Sequence, residues 1–268
     1  MVIEKFTGLG LVMLLAVVSS QGKIFAATKK NPGVVRPKVL AWRQTAEFPH
    51  DPAAFTQGFE VWDKNYFLES TGQYGRSEIR RVERRSGDVV VKGSLDHQHF
   101  AEGVTRIGED IFQLTWREGL ILRWNFTPKS GFSLKSKSSW SGEAWGLTKG
   151  ASSLWISDGT SSLYEIDQKT LKIKGSRKVT LAGEEFDKLN ELEFVGGKIL
   201  ANVFMSATVV VINPRNGVIE SMIDLSSLLP KPASLEAVAN GLAWDASKKR
   251  LYVTGKYWPK VYELAVDF

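Results

Sequence analysis

The chain has 268 residues, of which 43% are hydrophobic and 24% charged, and it carries a formal net charge of +6. This composition is ordinary for a globular protein and excludes a collagen, a coiled coil and a largely disordered chain. The sequence contains no cysteine and three histidines, which excludes a disulfide scaffold, a zinc ribbon and a thiol nucleophile and leaves little for a multi-histidine metal site. A charge of this size does not indicate nucleic acid, and we expect no such partner.

The first 27 residues have the features of a secretory signal peptide. Lys5 precedes an apolar run over residues 8–18, and small residues at 26–27 suit a cleavage site. The run is shorter than the roughly 20 residues of a transmembrane helix, although an uncleaved anchor is an alternative interpretation. We expect residues 28–38, with their two prolines and three lysines, to form a linker. The mature protein is then exported, periplasmic or extracellular, and without stable membrane association.

Beyond residue 38, short apolar runs alternate with clusters of glycine, asparagine, aspartate and serine, which indicates an all-β structure. A four-residue segment recurs at intervals of 45, 43, 45 and 50 positions, beginning at Gln57, Glu102, Trp145, Asn190 and Asn240. Four strands can be assigned to each repeat except the last, which has three. The pattern predicts a five-bladed β-propeller with four-stranded antiparallel blades in a single domain over residues 39–268.

The incomplete last repeat suggests how the ring closes. We expect residues 39–43, at the N-terminal end of the domain, to add the missing fourth strand and so remove an open sheet edge. A β-sandwich whose strands resemble one another by accident is the alternative fold.

Two columns of the aligned repeats are chemically diverse, whereas a neighbouring column is apolar in every repeat. The first column reads Gln57, Glu102, Trp145, Asn190 and Asn240, and the second, 14 residues later or 16 in the last repeat, reads Thr71, Trp116, Gly159, Phe204 and Lys256. The first strand of each propeller blade lines the central channel, so equivalent positions converge there. The columns predict an axial binding site with apolar walls and a few polar groups. Side chains that merely fill a wet channel are the alternative.

Short motifs accompany these columns in every blade. In chain order they are Phe55-Thr56-Gln57-Gly58, Glu69-Ser70-Thr71-Gly72, Phe100-Ala101-Glu102-Gly103, Leu114-Thr115-Trp116-Arg117, Ala144-Trp145-Gly146-Leu147, Leu189-Asn190-Glu191-Leu192 and Val253-Thr254-Gly255-Lys256. Together they resemble the plant-type glutaminyl-peptide cyclotransferases, a family of five-bladed propellers that also occurs in bacteria. The resemblance implies an acyltransferase that converts the N-terminal glutamine of peptides or proteins to pyroglutamate and releases ammonia, with no metal and no other cofactor.

The resemblance also implies roles for individual side chains. Glu102 matches the residue that transfers protons, and Lys256 and Asn190 are placed to donate to the carbonyl oxygen as negative charge develops on it. The substrate-binding residues by the same match are Gln57, Phe55, Phe100, Trp116, Trp145 and Phe204. Apolar surroundings should raise the pKa of Glu102 and a charged Lys256 should lower it, and the sequence leaves open which effect prevails.

One position departs from the family pattern. Phe204 stands where the family usually has tryptophan, so the wall stays aromatic but loses the width and the N–H donor of an indole. We expect activity to survive with altered affinity or substrate preference. We also expect a monomer.

Two other functions stay open at this stage. One is a non-catalytic propeller that binds a peptide or protein at its axial face. The other is a lactonase-like propeller that holds a divalent cation, which Lys256 and Trp116 at the axis fit poorly. The pair His97 and His99 hints at metal binding, but a solvated surface pair is the simpler interpretation.

Overall fold

Nearly all regular structure in the protein is β-strand, as the alternating pattern predicts. The computed structural model describes residues 37–231 and 235–268. Within these residues the only helix is the 3₁₀ turn Ser226–Leu228. No helix in this part of the chain is long and apolar enough to cross a membrane.

Five antiparallel sheets follow one another along the chain. Blade 1 contains Thr56–Val61, Tyr66–Thr71, Glu78–Glu83 and Val89–Ser94. Blade 2 contains Ala101–Ile107, Asp110–Thr115, Leu120–Thr127 and Gly131–Ser139. Blade 3 contains Leu147–Lys149, Ser153–Ser157, Ser162–Asp167 and Ile173–Lys178. Blade 4 contains Leu189–Val195, Lys198–Val203, Thr208–Ile212 and Ile219–Asp224. Blade 5 contains Ala239–Asp245, Arg250–Gly255, Lys260–Val266 and the N-terminal strand Trp42–Pro49. Two two-residue strands, Thr180–Leu181 and Glu184–Glu185, pair between blades 3 and 4.

The blades form a ring because their apolar faces pack against one another. The first strands contact each other in the order of blades 1, 2, 3, 4, 5 and back to 1. Between blades 1 and 2, for example, Leu68 and Ile79 of blade 1 pack with Val104 and Ile111 of blade 2. Burial decreases outward, since the first strand of blade 1 is buried along almost its whole length while the fourth alternates between half-buried and exposed. The predicted five-bladed propeller is confirmed.

An N-terminal strand closes the ring, but its predicted limits were wrong. The closing strand is Trp42–Pro49, paired antiparallel with Lys260–Val266, rather than residues 39–43. The preceding Lys38–Val39 pairs in parallel with the outer strand of blade 4, so this segment covers the edges of two neighbouring blades. Outer strands are only half buried, and their hydrophobic pattern therefore carries little information about where they begin.

The predicted signal peptide, residues 1–27, lies outside the described residues, as does the linker up to residue 36, so both stay predictions. From residue 37 the described chain belongs to one compact unit.

The first strands turn their leading side chains toward the axis through β-bulges. Register shifts occur between Thr56 and Gly58, Ala101 and Val104, Leu189 and Leu192, and Ala239 and Leu242. A bulge places two residues opposite one on the partner strand and re-aims the side chains involved. The residues of the first axial column in these four blades, Gln57, Glu102, Asn190 and Asn240, all fall within the shifted segments.

The strands approach each other so closely at the axis that a side chain would not fit. A Cβ atom on Gly58 would lie 2.5 Å from Val104 N, and one on Gly146 would lie 2.0 Å from Asn190 O. The same repeat position holds glycine in four blades and Glu191 in blade 4. The Glu191 carboxylate is buried and accepts hydrogen bonds from Phe59 N at 3.2 Å and Leu242 N at 3.0 Å, which ties blades 1, 4 and 5 together.

Candidate active site

The Glu102 carboxyl group is the centre of the axial cluster. Its side chain is buried at the start of the first strand of blade 2. Gln57 Nε2 donates to Glu102 Oε1 at 2.9 Å, and Asn240 Nδ2 donates to Gln57 Oε1 at 3.1 Å. Glu102 Oε2 has no hydrogen-bond partner among the described residues. Burial raises the pKa of Glu102 well above its usual range and outweighs the opposing effect of Lys256, which settles the competition that the sequence leaves open.

Lys256 brings a cation to the same place from the turn that follows the second strand of blade 5. Its ammonium lies 4.3 Å from the ring centroid of Phe55 and 5.5 Å from that of Phe204. It forms no ion pair at hydrogen-bond distance with any described residue. Burial lowers the pKa of Lys256 to about 8, although the nearby Glu102 carboxylate favours the charged form. The ammonium therefore rests on aromatic faces with its donors available to a ligand.

Aromatic side chains surround these two groups. Centroid separations are 5.9 Å for Phe55 and Phe100, 5.5 Å for Phe100 and Trp116, and 5.4 Å for Trp145 and Phe204. Gly159 makes room for this wall, because a Cβ atom there would lie 2.7 Å from the Trp145 ring. The glycine in the second diverse column thus has a packing reason.

Several polar atoms in the two axial columns are buried and lack partners. They are Glu102 Oε2, Thr71 Oγ1, Asn190 Oδ1 and Asn240 Oδ1. Buried polar atoms normally find a hydrogen-bond partner, so a group of unpaired ones indicates where a ligand binds. Asn190, which is 3% exposed, makes no side-chain hydrogen bond with the described residues.

Eight of the nine residues predicted for the site are linked to one another. The contacts above connect Gln57, Glu102, Lys256, Phe55, Phe100 and Trp116, and link Lys256 through Phe204 to Trp145, while Asn190 occupies the equivalent axial position of blade 4. Their individual roles stay predictions. Gln57 differs from expectation in one respect, because its amide already bonds to Glu102 and Asn240 and so holds the carboxyl group in place.

Sequence reasoning gave no role to Glu143, which joins the two tryptophans of the wall. Glu143 Oε2 accepts hydrogen bonds from Trp116 Nε1 at 2.9 Å and Trp145 Nε1 at 3.1 Å. Its other oxygen accepts from Arg117 Nε at 3.0 Å, and the Arg117 guanidinium lies 3.7 Å from the centroid of the Trp116 ring. One carboxylate thus fixes both indoles. The sequence offered one indication of this role, which is that Glu143 lies two positions before the axial Trp145.

Asn240 was also missed as a functional residue, although it stands in the first axial column. It holds Gln57, which in turn holds Glu102. No three histidine, aspartate or glutamate side chains in residues 37–231 and 235–268 group so as to hold an ion. His97 is exposed and pairs with Asp96 at 3.1 Å.

Comparisons with known proteins agree with this geometry. A family described as glutamine cyclotransferase matches residues 13–266. A glutaminyl-peptide cyclotransferase of Arabidopsis thaliana is 39% identical over 226 residues, which cover 82% of this chain and 69% of the plant protein. The crystal structure of Myxococcus xanthus glutaminyl cyclase superposes with a TM-score of 0.79 at 33% identity, covering 87% of this chain and 99% of that one.

Proposed function

Because the chain belongs to the glutamine cyclotransferase family, we propose that it converts the N-terminal glutamine of peptides and proteins to pyroglutamate, with Glu102 as the group that transfers the proton. The observation that supports this role most strongly is the buried Glu102 carboxyl group, which has one oxygen fixed by Gln57 and the other unpaired. A propeller that only bound peptides would have no need of a buried carboxyl group of raised pKa beside an ammonium.

The first step forms the ring. The substrate's neutral α-amine attacks the carbon of its own side-chain carboxamide, and Glu102 Oε2 accepts a proton from the amine as the new C–N bond forms. The electron pair of the carbonyl bond moves onto the carbonyl oxygen, where Lys256 and Asn190 donate hydrogen bonds to the developing charge. Trp116 and Trp145 enclose the aliphatic part of the glutamine and favour the folded-back conformer.

The second step releases ammonia. Glu102 returns its proton to the carboxamide nitrogen, the bond between that nitrogen and the carbon breaks, and the carbonyl reforms as the lactam of pyroglutamate. One carboxyl group therefore acts first as base and then as acid. Its raised pKa suits both tasks, because a proton-transfer group works best when its pKa lies near the operating pH. Such catalysis contributes about 10²–10⁴-fold in rate.

The proposal includes no metal, since the Lys256 ammonium supplies the positive charge at the carbonyl oxygen. We expect full turnover after the protein is dialysed against a chelator. Inhibition by the chelator that calcium restores would support the lactonase-like alternative instead.

The activity itself is tested by incubating the purified protein with a peptide that begins with glutamine. We expect stoichiometric release of ammonia and the corresponding mass loss of the peptide. The same peptide with an acetylated N-terminus is the control, because its blocked amine cannot attack. Tight binding of the free peptide without any ammonia release would support the non-catalytic alternative and contradict the proposal.

A further inference from the structure

A cleft on blade 1 adjoins the axial cluster and has no part in the chemistry described so far. It has a volume of about 230 Å³. Its walls include Phe55 and Thr71, which face the axis, and the charged side chains Arg76, Glu78, Arg80 and Lys92. Phe55 directly precedes the first strand of blade 1, and the other residues lie where the second strand ends, in the loop that follows, and on the two outer strands. The blade 1 cleft therefore leads outward from the substrate site.

Positive charge predominates in the blade 1 cleft. Glu78 is shared by Arg80 Nε at 2.8 Å and Lys92 Nζ at 2.6 Å, and Arg80 also bonds to Asp51 at 2.9 Å. Arg76 is exposed and forms no ion pair with any described residue. The wall thus holds three cations and one carboxylate. Arg80 is further compensated by Asp51 and by Glu69 at 3.7 Å, which leaves Arg76 as the cation without an ion pair among the described residues.

A neighbouring cleft has the reverse charge, and the two are linked by a hydrogen bond from the Tyr74 hydroxyl to Glu118 at 2.9 Å. A second cleft, of about 610 Å³, is lined by Arg117, Glu118 and Glu143 between blades 2 and 3. A substrate that extends from the axis consequently meets mainly cations in the blade 1 cleft and mainly carboxylates in the second cleft.

Thr71 gives a second, independent indication of a ligand. Its side chain is 2% exposed and lines the inner end of the blade 1 cleft, and its hydroxyl has no hydrogen-bond partner in the part of the chain that the structure describes. A buried hydroxyl that is left unpaired is unfavourable unless a ligand completes it. A peptide bond of the substrate offers both a donor and an acceptor to such a group.

We propose that the blade 1 cleft binds the residues that directly follow the N-terminal glutamine and favours an acidic side chain among them. Arg76 is the specificity-determining residue, and Thr71 hydrogen-bonds the peptide backbone as it leaves the axis. The inference rests on the proposed cyclotransferase function and names the class of peptide that this function would prefer.

The test compares peptide amides that begin Gln-Glu, Gln-Gln and Gln-Lys and are otherwise identical. We expect kcat/KM to be about three- to tenfold higher for the glutamate peptide than for the lysine peptide, mainly through KM, because exposed ion pairs are worth up to about a factor of five and like charges cost similar amounts. The preference should shrink at high salt.

Two variants that change the charge by the same amount show where the preference for the glutamate peptide arises. Arg76→Glu should reverse the order of the glutamate and lysine peptides. Arg85→Glu, on the same blade but in the turn at the other end of its strands, should preserve that order. Equal kcat/KM for all three peptides, or an order that Arg76→Glu leaves unchanged, would contradict the proposed role of the blade 1 cleft. Neither result would contradict the cyclotransferase function. Absence of turnover with every peptide would instead contradict the function itself.

Discussion

The two ends of the axial channel are built from the same first strands, yet the buried carboxylates at the two ends differ in how many of their oxygens are hydrogen-bonded or ion-paired. At the substrate end, Glu102 keeps one oxygen unpaired. Glu60 lies three residues, or roughly 10 Å, beyond the axial Gln57 on the first strand of blade 1. It accepts hydrogen bonds from Thr105 Oγ1 at 2.5 Å and Arg106 N at 3.1 Å and pairs with Lys149.

At the two ends of the channel, the number of hydrogen-bonded oxygens distinguishes Glu102 from carboxylates of the same residue type. Glu193, also at the far end, accepts from Trp244 N at 2.7 Å and from Thr148 Oγ1 at 3.4 Å. The pairing of both oxygens leaves these far-end groups nothing to offer a ligand, whereas Glu102 can still bind one. Four substitutions can break or sharpen this contrast.

Glu102→Gln has the largest expected effect. The amide has the same shape and can still accept from Gln57, but it cannot take up a proton, so kcat should fall about 10²–10⁴-fold. The variant should unfold no more easily than the parent at neutral pH. Because burial raises the pKa of Glu102, the parent is most stable when this group is protonated and loses that contribution as pH rises through the folded-state pKa. Steady-state ammonia release and denaturant unfolding at two pH values measure both effects.

Lys256→Met should lower kcat about 10²–10³-fold, the usual cost of removing a donor to a developing oxyanion. The pKa of Lys256, about 8, also predicts that kcat/KM of the parent falls as pH rises past that value and the ammonium loses its proton. On the acid side, kcat/KM should fall as the substrate amine, whose pKa is about 7.7–8.0, and the Glu102 carboxylate, whose pKa burial raises, become protonated. Lys256→Arg keeps its charge throughout, so its alkaline limb should be absent. An alkaline limb that is the same in the parent and in Lys256→Arg would contradict the assignment.

Glu143→Gln should raise KM about three- to tenfold and change kcat little, since it loosens the wall without touching the reacting atoms. The amide has one accepting oxygen for three donors, so an indole or Arg117 loses its partner. Tryptophan fluorescence should shift on this substitution and stay constant in Glu220→Gln, a carboxylate on the outer strand of blade 4. A loss confined to kcat would argue against a positioning role.

Glu60→Gln, at the far end, should leave kcat and KM unchanged and reduce the free energy of unfolding by about 1–3 kcal/mol. Glu60 Oε1 pairs with Lys149, and Glu60 Oε2 accepts hydrogen bonds from Thr105 and Arg106. A glutamine side chain has one accepting oxygen, so one of these two sets of partners loses its acceptor. Denaturant unfolding alongside ammonia release checks this expectation.

The repeat made most of the fold predictable. Each blade solves the same packing problem, so its apolar column recurs with a spacing of about 45 residues and reveals the blade number. The closing strand Trp42–Pro49 was placed inaccurately because an outer strand is half exposed and its pattern is weak. The Glu191 bridge had a visible signal, a single carboxylate in a glycine column, but its partners Phe59 and Leu242 are backbone groups that no motif identifies.

The site was predictable in its members and not in its energetics. The two chemically diverse columns identified Glu102 and Lys256 as neighbours, and they placed Asn190 at the equivalent axial position of blade 4. Whether burial or Lys256 controls the pKa of Glu102 depends on how completely water is excluded, which a sequence does not record. Glu143 was overlooked for a related reason, since only the fold shows that one carboxylate meets both tryptophans.

The most direct test of the contrast between the two ends is to measure kcat for ammonia release and the free energy of unfolding on Glu102→Gln and Glu60→Gln side by side at pH near 7. The same chemical change should remove activity without loss of stability at Glu102, and remove stability without loss of activity at Glu60. Unchanged turnover in Glu102→Gln, or a loss of turnover in a folded Glu60→Gln, would contradict the account.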